Sequence, residues 1–222
     1  MVSVESRRLT APPIVLVATL GLSATCWPAA AWLMRGMDMG IETGPGPFWF
    51  FTTTWLTMMT AMMLPGAAPA VIRHVRVTGG VRGVPRFAGA YLAVWALAGM
   101  VAYALDRPHG TRAAGLAVIA AGAYELTPVK RHFRRCCREE AGSGLRYGLY
   151  CAGSSIGLMA MLVALDVMSL FWMSVVAALA CAQKLLPAKA AIDVPSALSI
   201  TGLGLLIVFA PSLIPGLMTQ AM

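Results

Sequence analysis

An all-α, polytopic membrane helix bundle is the fold class this chain predicts, and three observations predict it. The composition is 59% hydrophobic and 12% charged, with a mean hydropathy of +0.75, which is about half the charge of a soluble domain. Apolar stretches close to the 20 or so residues that cross a bilayer recur along the chain. The basic residues lie between those stretches with a strong bias to one side, the pattern of cytoplasmic loops.

Seven transmembrane helices are predicted, at roughly 12–34, 48–72, 87–105, 112–129, 147–165, 168–186 and 195–217, forming one integral membrane domain over residues 1–222. The first is expected to stay in place rather than be cleaved as a signal peptide, because bulky Trp32, Leu33, Met34 and Arg35 follow it instead of small residues. The second contains WLTMMTAMMLP, residues 55–65, which sets Met58, Met59, Met62 and Met63 on one strip of an apolar helix. Thioethers bind Cu(I) and other soft metals. They are also ordinary core filler, and from the strip alone packing is the leading explanation. Pro65 and Pro69 in this span, like Pro211 and Pro215 in the last, free carbonyls that need other partners. Ala113, Ala117 and Ala121 form a small-residue ridge in the fourth span, and Gly153 and Gly157 form one in the fifth; such ridges let helix backbones approach closely in lipid. Glu125 lies about one turn inside the end of the fourth span, within reach of Lys130 or Arg131. It reads as half of an interfacial ion pair, with a proton or cation relay as the functional alternative. Asp166, at the turn between the fifth and sixth spans beside Met168 and Met173, is expected to be solvated.

Orientation follows from the basic residues. One side collects Arg7, Arg8, Arg73, Arg76, Arg82, Arg86, Lys130, Arg131, Arg134, Arg135, Arg138, Arg146, Lys184 and Lys189, and the other holds Arg35, Arg107 and Arg112. The amino terminus is therefore expected to be cytoplasmic and the carboxyl terminus external, in a cell (inner) membrane. The net charge of +8 is a matter of topology. Nucleic acid is not an expected partner, since the basic residues bracket spans and are not interleaved with aromatics on a soluble face. The lipid bilayer is, with anionic headgroups able to meet the basic loops. A membrane-protein partner or a second copy of the chain is expected beside it.

Two further regions carry metal-ligand chemistry. The loop after the first span, residues 34–40, puts Met37 and Met39 around Asp38, a soft pair with one oxygen that suits weak copper capture. Apolar anchoring at the interface explains the same loop. Cys136 and Cys137 lie in a basic cytoplasmic stretch, Cys151 begins the fifth span and Cys181 is near the cytoplasmic end of the sixth, so structural disulfides are not expected. His132 and Cys136 stand four apart, a spacing that puts two ligands on one helical face. The surrounding arginines repel a cation while favouring thiolate, so a redox-responsive thiol pair fits as well as a metal site. Cys26 reads as buried filler. No P-loop, GxSxG elbow, HExxH or dinucleotide fingerprint is present, and three histidines near loops do not suit haem, so the sequence leans away from an enzyme.

Three ordered blocks carry a resemblance across roughly residues 48–190. The first is Trp55-Leu56-Thr57-Met58-Met59-Thr60-Ala61-Met62-Met63-Leu64-Pro65. The second is Tyr124-Glu125-Leu126-Thr127-Pro128-Val129-Lys130, followed by Cys137-Arg138. The third runs from Tyr150-Cys151 through Leu158-Met159, Val167-Met168 and Trp172-Met173 to Lys184. The chain resembles a family of bacterial integral membrane proteins predicted to bind metal. The resemblance implies a soft-metal site using Cys137 and Cys151, which match the family pattern, together with the methionine block. The chain departs from that pattern where it has Ser154 and Ser155 in place of two cysteines, Phe133 in place of another, and Gln183 in place of a glutamate. Serine is a hard, neutral ligand and phenylalanine is none, so a thiolate site here would be weakened.

Two functions are thus expected from different classes. In one, the bundle handles a soft metal, copper above all, through Met58, Met62, Met63, Cys137 and Cys151, with Met37, Asp38 and Met39 as an external capture point, for transport or for delivery to a partner. In the other, the chain is a non-catalytic structural or assembly subunit of a larger membrane complex. Binding of lipid or a small apolar ligand between helices is a third option.

Overall fold

Proline and glycine punctuate the long apolar stretches, and helices fill what lies between. In a computed structural model of the chain, residues 2–35, 47–105, 111–165, 170–186 and 190–209 are described, and every regular element among them is helical. These elements are α1 (Val2–Met34), α2 (Phe48–Thr78), a single 3-10 turn at Val81–Gly83, α3 (Val84–Leu105), α4 (Thr111–Glu125), α5 (Pro128–Glu139), α6 (Gly144–Leu165), α7 (Leu170–Leu185) and α8 (Ala190–Phe209).

Each of the seven predicted spans contains a helix, but their lengths differ from the expectation. Among the described residues, four segments are long and apolar enough to cross a membrane: Pro13–Met34, Phe48–Thr78, Val81–Ala104 and Gly144–Ala164. Leu170–Leu185 and Val194–Phe209 are shorter apolar helices. The fourth predicted span is only the 15-residue α4, about 22 Å at the helical rise per residue and less than a bilayer's hydrocarbon core. Its predicted tail to residue 129 is instead the start of a separate helix. Thr127 turns the chain and caps α5, its hydroxyl accepting from the Lys130 amide at 3.3 Å, with Pro128 in the first turn, where a missing N–H costs nothing. α5 is polar and amphipathic, turning Lys130, Arg134 and Cys137 inward and Arg131, Arg135 and Arg138 outward.

α2 is the central element, packed against α1, α3 and α7. Its prolines are accommodated through their orphaned carbonyls, as a helix away from water requires. Pro65 removes the donor to Ala61 O, and Ser23 Oγ from α1 supplies one at 2.6 Å. α2 ends at Gly79, whose φ of 73° lets its N–H return to Val75 O at 2.9 Å, a left-handed cap that favours glycine. The two predicted ridges meet in part: Gly157 of α6 faces Ala121 and Tyr124 of α4. Gly115 and Gly122 of α4 pack against α8 near Gly204 and Thr201, a contact the alanine spacing did not reveal. Gly153 receives the ring of Phe133 from α5. At the end of the bundle where α2 finishes and α6 begins, Arg73 and His74 reach the chain between α5 and α6, His74 Nδ1 lying 2.8 Å from Ala141 O. This basic end is where the chemistry lies.

A candidate soft-metal centre at the basic end

Met63 of α2, Cys137 of α5, and Cys151 of α6 are brought together around the side chain of Lys184 at the end of α7. Lys184 Nζ lies 3.3 Å from Met63 Sδ and is hydrogen-bonded to Cys151. Cys137 donates its thiol hydrogen to Cys151, and Tyr91 OH lies 3.4 Å from Cys151 Sγ. Cys151 thus takes three contacts that suit a thiolate, from an ammonium, a thiol and a phenol. Tyr147 completes the ring of polar groups, hydrogen-bonded to Cys137 and pointing its hydroxyl at Gly66 O, 3.4 Å away. The Cys137 thiol is held well above the usual thiol range, first by the hydrogen bond it gives Cys151 and then by burial. Met63 and Cys151 are fully buried and Cys137 is 6% exposed.

Local sequence explains how a lysine reaches this place. Gly66 stands one turn beyond Met63 on α2, and a methyl group there would sit 2.6 Å from Lys184 Cδ. The absence of a side chain is what lets the lysine stem lie across α2. Aromatic packing fixes the rest: Tyr147 lies between Tyr91 and Phe87, with ring centroids 5.5 and 5.7 Å away.

A cavity of about 120 Å³ opens beside the cluster, lined by Cys137, Tyr147, Lys184, Ser154 and Ser155 and by Arg73, Arg134 and Arg138. Ser154 and Ser155, where the resemblance has cysteines, therefore face this same space. Phe133 does not appear in its wall and packs on Gly153 instead. Next to the cluster, Gln183 joins a buried polar network. Glu125 and Lys130 form an ion pair, Gln183 Nε2 donates to Glu125 Oε2 at 2.7 Å, Lys130 Nζ donates to Gln183 Oε1 at 2.9 Å, and Arg134 donates to the Gln183 carbonyl. Glu125 is thus an ion-pair partner as expected, though it is completely buried rather than interfacial.

The other sequence candidates fall elsewhere. All four methionines of the strip are buried because α2 has neighbours on several sides, and the strip divides. Met63 turns to Lys184, whereas Met62 lines a separate hollow with Trp27, Pro65 and Cys181. Met58 is a fully buried member of the hydrophobic core. His132 Nε2 and Cys136 Sγ lie 3.6 Å apart on the exposed face of α5. Met37, Asp38, Met39, Asp166 and Met168 lie outside the described residues. No three His, Cys, Asp or Glu side chains gather among the described residues, so the cluster's distinguishing chemistry is its sulfur. Sequence reasoning missed Tyr91 and Tyr147, which read as span aromatics, and carried Lys184 only as the end of the third matched block and a cytoplasmic basic residue.

No curated protein and no solved structure matches the chain. A family model described as PpoB2, copper chaperone, matches residues 52–207, a stretch that holds Met63, Cys137, Cys151 and Lys184. Because the match covers well over half of its length, the chain belongs to the PpoB2 copper chaperone family.

Proposed function

We propose that this chain is an integral membrane protein that binds Cu(I) between Cys137 and Cys151, with Met63 as a further donor, and delivers it to a partner protein. The single observation that carries the reading is the convergence of these three sulfurs from three helices on Lys184, beside a cavity whose wall includes Cys137. Two thiols and a thioether form a soft set that suits Cu(I) over the harder divalent ions. The family name, copper chaperone, supports the same metal and favours delivery. The four long apolar helices support a membrane location, and the bias of basic residues supports a cytoplasmic position for the cysteine end. Copper held by two thiolates carries one negative charge. Lys184 supplies the matching positive charge, and Tyr91 and Tyr147 hold the sulfurs by hydrogen bonds.

Elemental analysis and anaerobic Cu(I) titration against a competing chelator test this reading. The wild type is expected to hold about one Cu(I), and Cys137→Ser with Cys151→Ser to lose it. Met63→Leu is expected to weaken it by about tenfold through loss of one soft donor, while Met58→Leu leaves it in place. Equal uptake by the wild type and the double serine variant would sink the proposal.

A further inference from the structure

The cavity over Cys137 has an electrostatic character at odds with its cargo. Its walls bear Arg73, Arg134, Arg138 and Lys184, and no aspartate or glutamate is among its lining residues. A bare monovalent cation entering this space meets four positive side chains among the described residues; an anion is drawn in, and such focusing changes encounter rates by 10- to about 1,000-fold. Arg73 also has donor capacity in reserve. Its Nε is buried without a hydrogen-bond partner among the described residues, and its terminal nitrogen makes only a 3.5 Å contact with the Glu140 carbonyl. A guanidinium so placed is suited to the two oxygens of a carboxylate. Arg138, exposed on α5, stands at the same opening.

We propose that copper reaches this site as a small anionic complex, Cu(I) held by thiolates of a carboxylate-bearing low-molecular-weight thiol, with Arg73 and Arg138 receiving the carboxylates while Cys137 takes the metal. This rests on the reading of Cys137 and Cys151 as the copper ligands. The volume limits the carrier: about 120 Å³ is the space of roughly ten waters, enough for a thiol arm and too little for a folded segment of protein. The exchange balances without any change in oxidation state. Two bonds from copper to carrier sulfur break and two to Cys137 and Cys151 form, copper stays Cu(I), and the Cys137 proton leaves on one of the released carrier thiolates. Ser155, which also lines the cavity, offers a hydroxyl to the departing carrier, whereas that of Ser154 is donated to the Cys151 carbonyl at 2.9 Å.

The test compares two small thiols of opposite charge as carriers for the detergent-solubilised full chain under anaerobic conditions. Loading from Cu(I)–mercaptosuccinate is expected to be at least tenfold faster than from Cu(I)–cysteamine at low ionic strength, with the gap closing near 1 M salt, where charges are screened within about 3 Å. Arg73→Gln and Arg138→Gln are each expected to slow loading from mercaptosuccinate without slowing it from cysteamine, and Arg73→Lys to recover part of the salt-dependent rate. The cysteamine route reports whether each variant is folded. Equal wild-type rates from the two carriers, or arginine variants that slow both routes alike, would overturn the proposal. Uptake from neither carrier would overturn the copper reading of Cys137 and Cys151, and this inference with it.

Discussion

Lys184 is the residue whose role differs most from its appearance in the sequence. At the end of an apolar helix a lysine ordinarily turns its charge out to the interface. Here the stem crosses Gly66 and the ammonium ends on Met63 and Cys151. Removing one partner of a buried charge pair leaves the other uncompensated, so Lys184→Leu is expected to weaken Cu(I) binding by at least about tenfold in a competition titration. Unchanged or tighter binding would mean that the ammonium competes with the metal instead of balancing its thiolates. Cys137 adds a pH dependence. Its thiol keeps its proton beyond the usual thiol range because it donates to Cys151 and is buried, and a metal that takes the sulfur must displace that proton. Affinity is therefore expected to rise with pH, by about tenfold per unit between roughly pH 6 and 8 for one proton released; titrations giving a flat profile would contradict a protonated Cys137. Residue types were legible in the sequence: Met63, Cys137 and Cys151 all stood out as soft ligands. The resemblance also grouped Met58, Met62 and Met63 with Cys137 and Cys151, but which methionine joins them was not legible, because the three share one helix strip and only the packing of α7 on α2, which sets Lys184 against Met63, selects among them.

At the scale of elements, α5 and α7 are tied together by polar groups rather than by apolar area. Lys130 and Arg134 on α5 meet Gln183 on α7, and Glu125 at the end of α4 closes the network. Gln183 is followed directly by Lys184, so the same turn of α7 that anchors α5 also carries the ammonium into the sulfur cluster. Lys130→Met leaves Glu125 buried with no ammonium beside it, and breaking a buried pair in this way typically destabilises by about 3–5 kcal/mol. The expected outcome is a large fall in thermal unfolding temperature together with loss of Cu(I) binding, since Cys137 rides on α5. Lys130→Met with Glu125→Leu is expected to recover stability. A variant pair that unfolds no less readily than the single Lys130→Met would show that the ion pair is not what orders α5. The helix itself was only half legible. Thr127 and Pro128 are good start signals, yet the preceding apolar residues extend the span pattern to residue 129, and the basic run beyond it reads as a loop bracketing a span. The amphipathic placement of Cys137 inward and Cys136 outward needed α5 to exist.

For the whole molecule, the helical nature of the seven apolar stretches was legible because composition decides it, whereas the length of each helix was not. α4 is too short to cross alone and is backed by α8 through Gly115, Gly122 and Gly204, so the pair works as a unit that the hydropathy of either stretch does not reveal. Orientation is the property on which the copper route depends, because one end of the bundle gathers Arg73, α5 and Lys184 around the cavity. The bias of lysine and arginine argues that this end faces the cytoplasm, and the partly exposed Cys136 on α5 offers a natural probe of it. Cys137 and Cys151 are buried and should resist labelling in the folded protein. In a variant with Cys26 and Cys181 changed to alanine, a membrane-impermeant maleimide is expected to label Cys136 in inside-out vesicles and to leave it unmodified in right-side-out vesicles until detergent is added. The reverse pattern would put the cavity on the outer face. Copper would then be met where no reducing pool of carboxylate-bearing thiols accompanies it, and the arginine-lined mouth would need a different anionic carrier.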